Sequence, residues 1–459
     1  MAGLAGATGR RRPPGVPAGA PAVSSFVRAV PLPPITRIRR TRTHGALADP
    51  ADAARRETAR VLARAGRAPG PVAVAVGSRG ITNLRAITAG VVTELRAGGW
   101  SPFVVPAMGS HGGGNPEGQV AVLEGLDITE ESVGAPVRAT LEVEDRGVVA
   151  GVRAFVDRQV VEAGAAFLVN RVKPHTDFHG RVESGPAKML AVGLGHVAGA
   201  AELHADGPTG LRLGIPAVAQ HLAGEGLVLG AVAIVENEVG ETALVRGLLP
   251  AEIGAEEEEA LLETARAMMP TLPFADLDVL VVEQLGKDVS GEGVDPNVVG
   301  RMYITGTPEP ETPRVGCIAA LRLTEASAGN ALGIGLTDFV SARLRDQIDF
   351  GALYANALTS GIVDIRRAKL PMVLPTDRLT IQAAIACCGR RDAANVRLCV
   401  IRDTKHLDLV GASPPLVAEV TDRDGFSTVD APGEMQFDDD GSLRPLRPLG
   451  ELGGEEGGR

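Results

Sequence analysis

From about residue 55, short apolar runs alternate with stretches of helical period, and this βα rhythm points to sheets of largely parallel strands. Val72 to Val76 (VAVAV) is apolar throughout and β-branched at alternate positions, the pattern of a strand buried on both faces. After the loop Gly77-Ser78-Arg79-Gly80-Ile81-Thr82, the residues Leu84, Ile87, Val91 and Leu95 recur at helical spacing as far as Gly98-Gly99. Phe103 to Val105 reads as a second strand. It leads into Met108-Gly109-Ser110-His111-Gly112-Gly113-Gly114, and Asn115 with Pro116 marks the cap and first position of a helix. Ala166 to Val169 is a third strand, delivering Asn170-Arg171-Val172-Lys173-Pro174-His175. Ligand crevices of open α/β sheets lie beyond the carboxyl ends of the strands, so Arg79, His111 and His175 are candidates to converge on one site.

Further strands are expected at Val228 to Val235 and Val279 to Glu283, with an acidic helical stretch, Pro250 to Met269, between them as a hinge. The second half carries its own signals at Gly316 to Leu321, Asp338 to Ile348 and Arg397 to Ile401. A chain of 459 residues exceeds one compact core. The expectation is an α/β fold of two α/β domains, residues 51–265 and 266–440, with an active-site crevice between them. Residues 1–50 are rich in Pro, Ala, Gly and Arg, with Arg37, Arg39, Arg40 and Arg42 clustered, and are predicted to be a disordered tail; residues 441–459 are predicted to be a second.

Composition removes several function classes. Aromatic residues make up 3% of the chain, with Trp100 the only tryptophan, so a base-stacking platform is not expected. A net charge of -10 and a pI near 5.4 repel phosphate backbones and anionic membranes. No apolar run approaches bilayer length, and the N-terminal arginines lead into no apolar signal-like region, so a cytoplasmic location is expected. The four cysteines (Cys317, Cys387, Cys388, Cys399) make no Cys-x-x-Cys pair and read as small buried residues.

Histidine supplies acid, base and metal-ligand chemistry near neutral pH. Five of the eight histidines fall between His111 and His204. His111, in its Gly-rich loop, serves either in chemistry or as a helix cap; the loop matches no familiar nucleotide motif. His175 follows Pro174 and is either catalytic or satisfied by loop carbonyls, while His179 and His196 lie close enough to take a neighbour's role. Lys188 follows Ser184-Gly185-Pro186-Ala187 and either lies along apolar surface or forms a covalent bond to a cofactor. His44, His221 and His406 have no supporting context and read as surface or structural.

Taken together, Gly77 to Thr82, Met108 to Gly114 and Lys173 to His204 resemble the lactate racemase family, whose members use a nickel-pincer nucleotide. The likeness is best over residues 70–210. It implies an isomerase, a racemase or epimerase of a 2-hydroxy acid. His111 (in Gly109-Ser110-His111) and His175 (in Pro174-His175) would be the acid/base pair. Lys188 would carry the cofactor covalently, and His204, sixteen residues on, would be the nickel ligand in preference to His196. Arg79 falls where the family has an arginine facing the substrate. The partners implied are a small hydroxy acid and the cofactor-synthesis enzymes.

The chain departs from the family pattern at Val76, which stands in place of an Asp, and in a longer interval between His175 and Lys188. In the second half the pattern is reduced to Gly293-Val294-Asp295-Pro296-Asn297, with Gly300 and Tyr303 replacing a Gln and a Lys, and Arg301 a candidate substitute cation. These departures touch the substrate pocket more than the cofactor anchor, which implies a larger hydroxy or sugar acid rather than lactate. Two other readings remain. One is a metal-dependent hydrolase or lyase built on His111, His175 and His204, with His175 and His179 four apart and Asp177, Glu183 or Glu202 activating water. The other is a non-catalytic binding homologue.

Overall fold

The structure is a computed structural model that describes residues 30–78 and 80–446. Its strands are β1 (Thr36–Arg40), β2 (Pro71–Val76), β3 (Ser101–Pro106), β4 (Val143–Val149), β5 (Val152–Asp157), β6 (Ala166–Arg171), β7 (Val228–Glu236) and β8 (Thr242–Leu248) in the first half. The second half adds β9 (Asp276–Val282), β10 (Arg314–Ala320), β11 (Phe339–Ser341), β12 (Met372–Leu374), β13 (Leu398–Ile401), β14 (Leu409–Ala412) and β15 (Phe426–Thr428).

Two sheets organise these strands. The first runs β3-β2-β6-β7-β8, parallel except for β8, which returns antiparallel to β7. Successive residues of β2 point to opposite faces, so Ala73 and Ala75 enter one apolar cluster while Val72, Val74 and Val76 enter another. Residues 72–76 are fully buried, as the VAVAV run requires of a sheet covered on both sides. Helix Leu84–Ala97 covers one face, burying Leu84, Ile87, Val91 and Leu95, and its C-cap is Gly98. Asn115 caps helix Pro116–Gly125, its side chain accepting from Gly118 N.

The second sheet runs β12-β11-β10-β9-β13-β14-β1-β15, parallel from β12 through β13 and antiparallel beyond. Alternate residues of β9 again divide between two clusters, Leu280 and Val282 on one face and Val279 and Val281 on the other. The molecule is therefore mixed α/β with two main sheets, and β4 and β5 form a separate hairpin.

Three sequence expectations need correction. Within residues 1–50, Thr36–Arg40 is a strand paired on both sides, and Asp49 already caps helix Pro50–Leu62. Thr36 and Ile38 point into the core, while Arg37 bonds Asp430 and Arg40 bonds Thr271. The alternation, more than the basic composition, decides the conformation. Residues 1–29 lie outside the described residues. Within residues 441–459, Leu443 is buried and pairs with Phe437, and residues 447–459 lie outside the described residues. Of the cysteines, Cys317 and Cys399 are buried, but Cys387 is exposed.

Candidate active site

The carboxyl ends of β2, β3 and β6 lie side by side, since Val76 pairs with both Pro106 and Val169. Their loops then meet. Ser78 Oγ lies 2.5 Å from His111 Nδ1, tying the β2 exit to the β3 exit. Gly109 N donates to Gly193 O (3.1 Å), which seats the His111 loop on the turn that follows Lys188. That contact needs a bare backbone: a Cβ on Gly193 would stand 2.6 Å from Ala107 O. Asn170 Nδ2, at the end of β6, donates to Gly185 O (3.0 Å) at the start of the Lys188 turn.

Lys188 ends the short helix Pro186–Lys188, which continues into a wide, π-type turn over Met189–Gly193. Such turns are rare and frequent at functional sites. A buried carboxyl supports this turn from below: Ala187 N donates to Glu258 Oε1 (3.0 Å), and Gly254 N donates to Glu258 Oε2 (2.8 Å). Burial pushes Glu258 up to about 7 against these two hydrogen bonds.

Both ring nitrogens of His175 are engaged. Asp177 N donates to Nδ1 (3.1 Å), and Nε2 is hydrogen-bonded to Lys188 Nζ. Nε2 is thus the ring nitrogen that faces Lys188. The ring also packs on Phe178, centroids 4.7 Å apart. His175 N donates to Glu183 Oε2 (2.7 Å), and the same carboxylate receives Gly180 N and Arg266. Burial alone would raise Glu183, but hydrogen bonds from His179, His175 N and Gly180 N hold it below the ordinary carboxylate value. Glu183 therefore braces the loop.

His204 closes helix His196–His204. It is exposed to solvent on one side, yet the surrounding protein lowers its pKa from 6.5, and the charge of Lys188 lowers it further while Asp177 opposes. The imidazole is thus kept neutral, and it shares a neighbourhood with Lys188 and Asp177. His196 differs. It is 1% exposed, sits at φ +48°, and bonds Asp157 Oδ2 at 2.8 Å through Nε2, a structural role. His44, His221 and His406 are likewise engaged away from the site, by Glu238, Arg146 O and Asp403. Arg79 lies outside the described residues.

The second half reaches the site through the Gly293–Asn297 segment marked by the resemblance and through Arg367, which sequence reasoning did not single out. Asn297 Nδ2 donates to His175 O (3.0 Å), and Lys173 Nζ donates to Asp295 Oδ2 (3.2 Å), so the Gly293–Asn297 segment faces the His175 loop. Arg367, fully buried, donates to Asp177 Oδ1 (2.8 Å) and Thr176 O (2.7 Å). Glu292 and Asp364 approach the same nitrogen as Asp177, at 3.4 and 3.7 Å from Nη1. Burial and then the charges of Asp177 and Asp364 push Glu292 up to about 8. Asp177 moves the other way: burial opposes it, but His175, Arg367 and Lys188 hold it at about 2. Arg301 is no substitute cation for the substrate, because its guanidinium is consumed by Asp338, Leu336 O, Val315 O and Gly316 O.

No protein-family model matches the chain, and no curated protein matches it. Among solved structures it is similar to a Thermotoga maritima protein determined as a structural-genomics target, at 14% identity and a TM-score of 0.45, covering 79% of this chain and 99% of that one. It is also similar to the lactate racemase apoprotein from Thermoanaerobacterium thermosaccharolyticum, at 12% identity and a TM-score of 0.43, covering 81% of this chain and 89% of that one. Likenesses this distant carry no functional argument, so the functional reading rests on the site.

Proposed function

We propose that this chain is an isomerase that racemises or epimerises a 2-hydroxy acid with a nickel-pincer nucleotide. Lys188 would hold the cofactor covalently and His204 would ligate its nickel; His111 and His175 would be the acid/base pair, with Arg79 binding substrate. The observation that carries this reading is the meeting of Lys188 Nζ with His175 Nε2, on a turn to which the His111 loop is also hydrogen-bonded.

The donor set fits such a group. Among the described residues, the one cluster of three potential metal ligands is Asp177, Glu292 and Asp364, and it contains no histidine. A bare ion would find no imidazole cage there, whereas a metal that arrives with its own sulfur and carbon ligands needs one further imidazole. His204, kept neutral beside Lys188, supplies that ligand type. When bound at Lys188 and His204, such a group would supply hydride-transfer chemistry that no side chain offers.

The protein's own part is proton transfer and orientation. The C–H bond beside a hydroxyl is too weak an acid for any side chain here, but the hydroxyl proton is within the range of histidine. With two histidines, each enantiomer has an imidazole to take that proton and another to restore it. Ser78 fixes the His111 ring and Asp177 fixes that of His175. The hydrolase alternative gains less support. His175 and His179 lie in a loop rather than a helix and turn to different partners, Lys188 and Glu183.

Intact-protein mass spectrometry after co-expression with the cofactor-synthesis enzymes tests the proposal. A nickel-containing adduct should map to Lys188 and vanish in Lys188→Ala. Chiral chromatography should show inversion of a 2-hydroxy acid, of a larger or sugar-derived type in preference to lactate. Stoichiometric zinc without an adduct would favour the hydrolase, and an adduct retained in Lys188→Ala would refute the anchor.

A further inference from the structure

The loop bearing His175 belongs to the first sheet, yet its position is set largely from the second half. Four hydrogen bonds cross to residues 173–177: Lys173 Nζ to Asp295, Asn297 Nδ2 to His175 O, and Arg367 to both Thr176 O and Asp177 Oδ1. Two of them bracket His175 directly, one on its own carbonyl and one on the next. Arg367 is itself immobilised, because its Nε donates to Met302 O (2.8 Å) and the whole side chain is 0% exposed. A guanidinium this deeply buried requires an anionic partner.

The surrounding carboxyls make that partner specific. Glu292 is pushed up to about 8 and Asp364 is raised as well, first by burial, so both resist ionisation, while Asp177 stays ionised. Of the three carboxyls Asp177 lies nearest Arg367, at 2.8 Å, and Asp177 is the residue whose N–H fixes His175 Nδ1.

We propose that Arg367, aided by Asn297, is the positioning residue for His175, so that the imidazole is correctly placed only when the second half is docked against its loop. The proposal rests on the reading of His175 as an acid/base residue. It makes the second half part of the proton-transfer apparatus without contact with the reacting atoms.

The test uses the full-length protein with Asn297→Ala, Arg367→Lys and Arg367→Gln. Hydrogen–deuterium exchange over residues 173–178, measured without cofactor, should accelerate about 10-fold or more as crossing bonds are lost. After cofactor loading, the adduct on Lys188 should persist while kcat falls about 10- to 100-fold with little change in KM. Arg367→Lys should retain more activity than Arg367→Gln. If the Arg367 variants fail to fold, Asn297→Ala carries the test, since it removes only the side-chain hydrogen bonds to His175 O and Asp295 Oδ1 from a half-buried position. Unchanged exchange in Asn297→Ala and in every Arg367 variant that folds would overturn the proposal. So would faster exchange with kcat unaltered, which would make the contacts purely structural. If the parent protein turns over no 2-hydroxy acid, the proposed activity fails separately, because the exchange measurement needs neither cofactor nor substrate.

Discussion

The two sides of the candidate site are built on opposite principles. On the side of the first sheet, polar residues emerge from the ends of parallel strands and remain open enough to react: His111 is exposed and His175 half-buried. On the side of the second sheet, the charged residues are sealed in. Arg367, Glu292 and Asp364 are all buried, and their chemistry is directed at one another and at a loop of the first half. The contrast teaches that burial separates residues that act from residues that hold. A side chain that must exchange protons with a ligand needs access, whereas one that fixes a neighbour gains from a dry surrounding in which its hydrogen bonds are stronger.

The largest expected effect lies on the acting side. His111→Ala and His175→Ala should each lower racemisation by about 10²- to 10⁴-fold while leaving the adduct on Lys188 and the thermal midpoint nearly intact. A variant that loses the fold along with the activity would break the comparison. On the holding side a neutral isostere should be tolerated where the native group is itself neutral. Glu292→Gln should melt like the parent below about pH 4.5 and increasingly above it from pH 6.5 to pH 9, as measured by calorimetry.

Stability against pH gives a smaller effect with a definite sign. Glu258 and Glu292 have folded-state values raised to about 7 and about 8, so they contribute stability that is complete below about pH 4.5 and lost as pH rises through those values. For Glu258 the shift from 4.5 to about 7 corresponds to roughly 3 kcal/mol. Asp177 has the opposite sign: held at about 2, it contributes stability present above its ordinary 3.8 and lost as pH falls toward 2. The midpoint should therefore peak in mildly acid solution and decline between pH 5 and pH 9. Glu258→Gln should flatten part of that decline.

The positions of His111 and His175 in strand-end loops were readable from the chain. Strand-end loops announce themselves because an apolar run must stop where water begins, and His111 and His175 stand in such loops. The holding side was not readable. Arg367 and Asp177 are separated by 190 residues, and nothing local distinguishes a buried arginine from a solvated one. Asn297 and Asp295 were visible only as the remnant of a family pattern. Strand β1 escaped for another reason: Arg37, Arg39 and Arg40 dominate its composition and hide the inward alternation of Thr36 and Ile38.

That strand has a consequence for biosynthesis. Residues 36–40 leave the ribosome long before their neighbours in the sheet, residues 409–412 and 426–428. The nascent chain must carry an unmatched strand until those residues are made, a long wait of the kind that slows folding and invites aggregation. Its alternating arginines keep one edge charged throughout that interval, which suits a segment obliged to stay apart from other chains until its partners arrive.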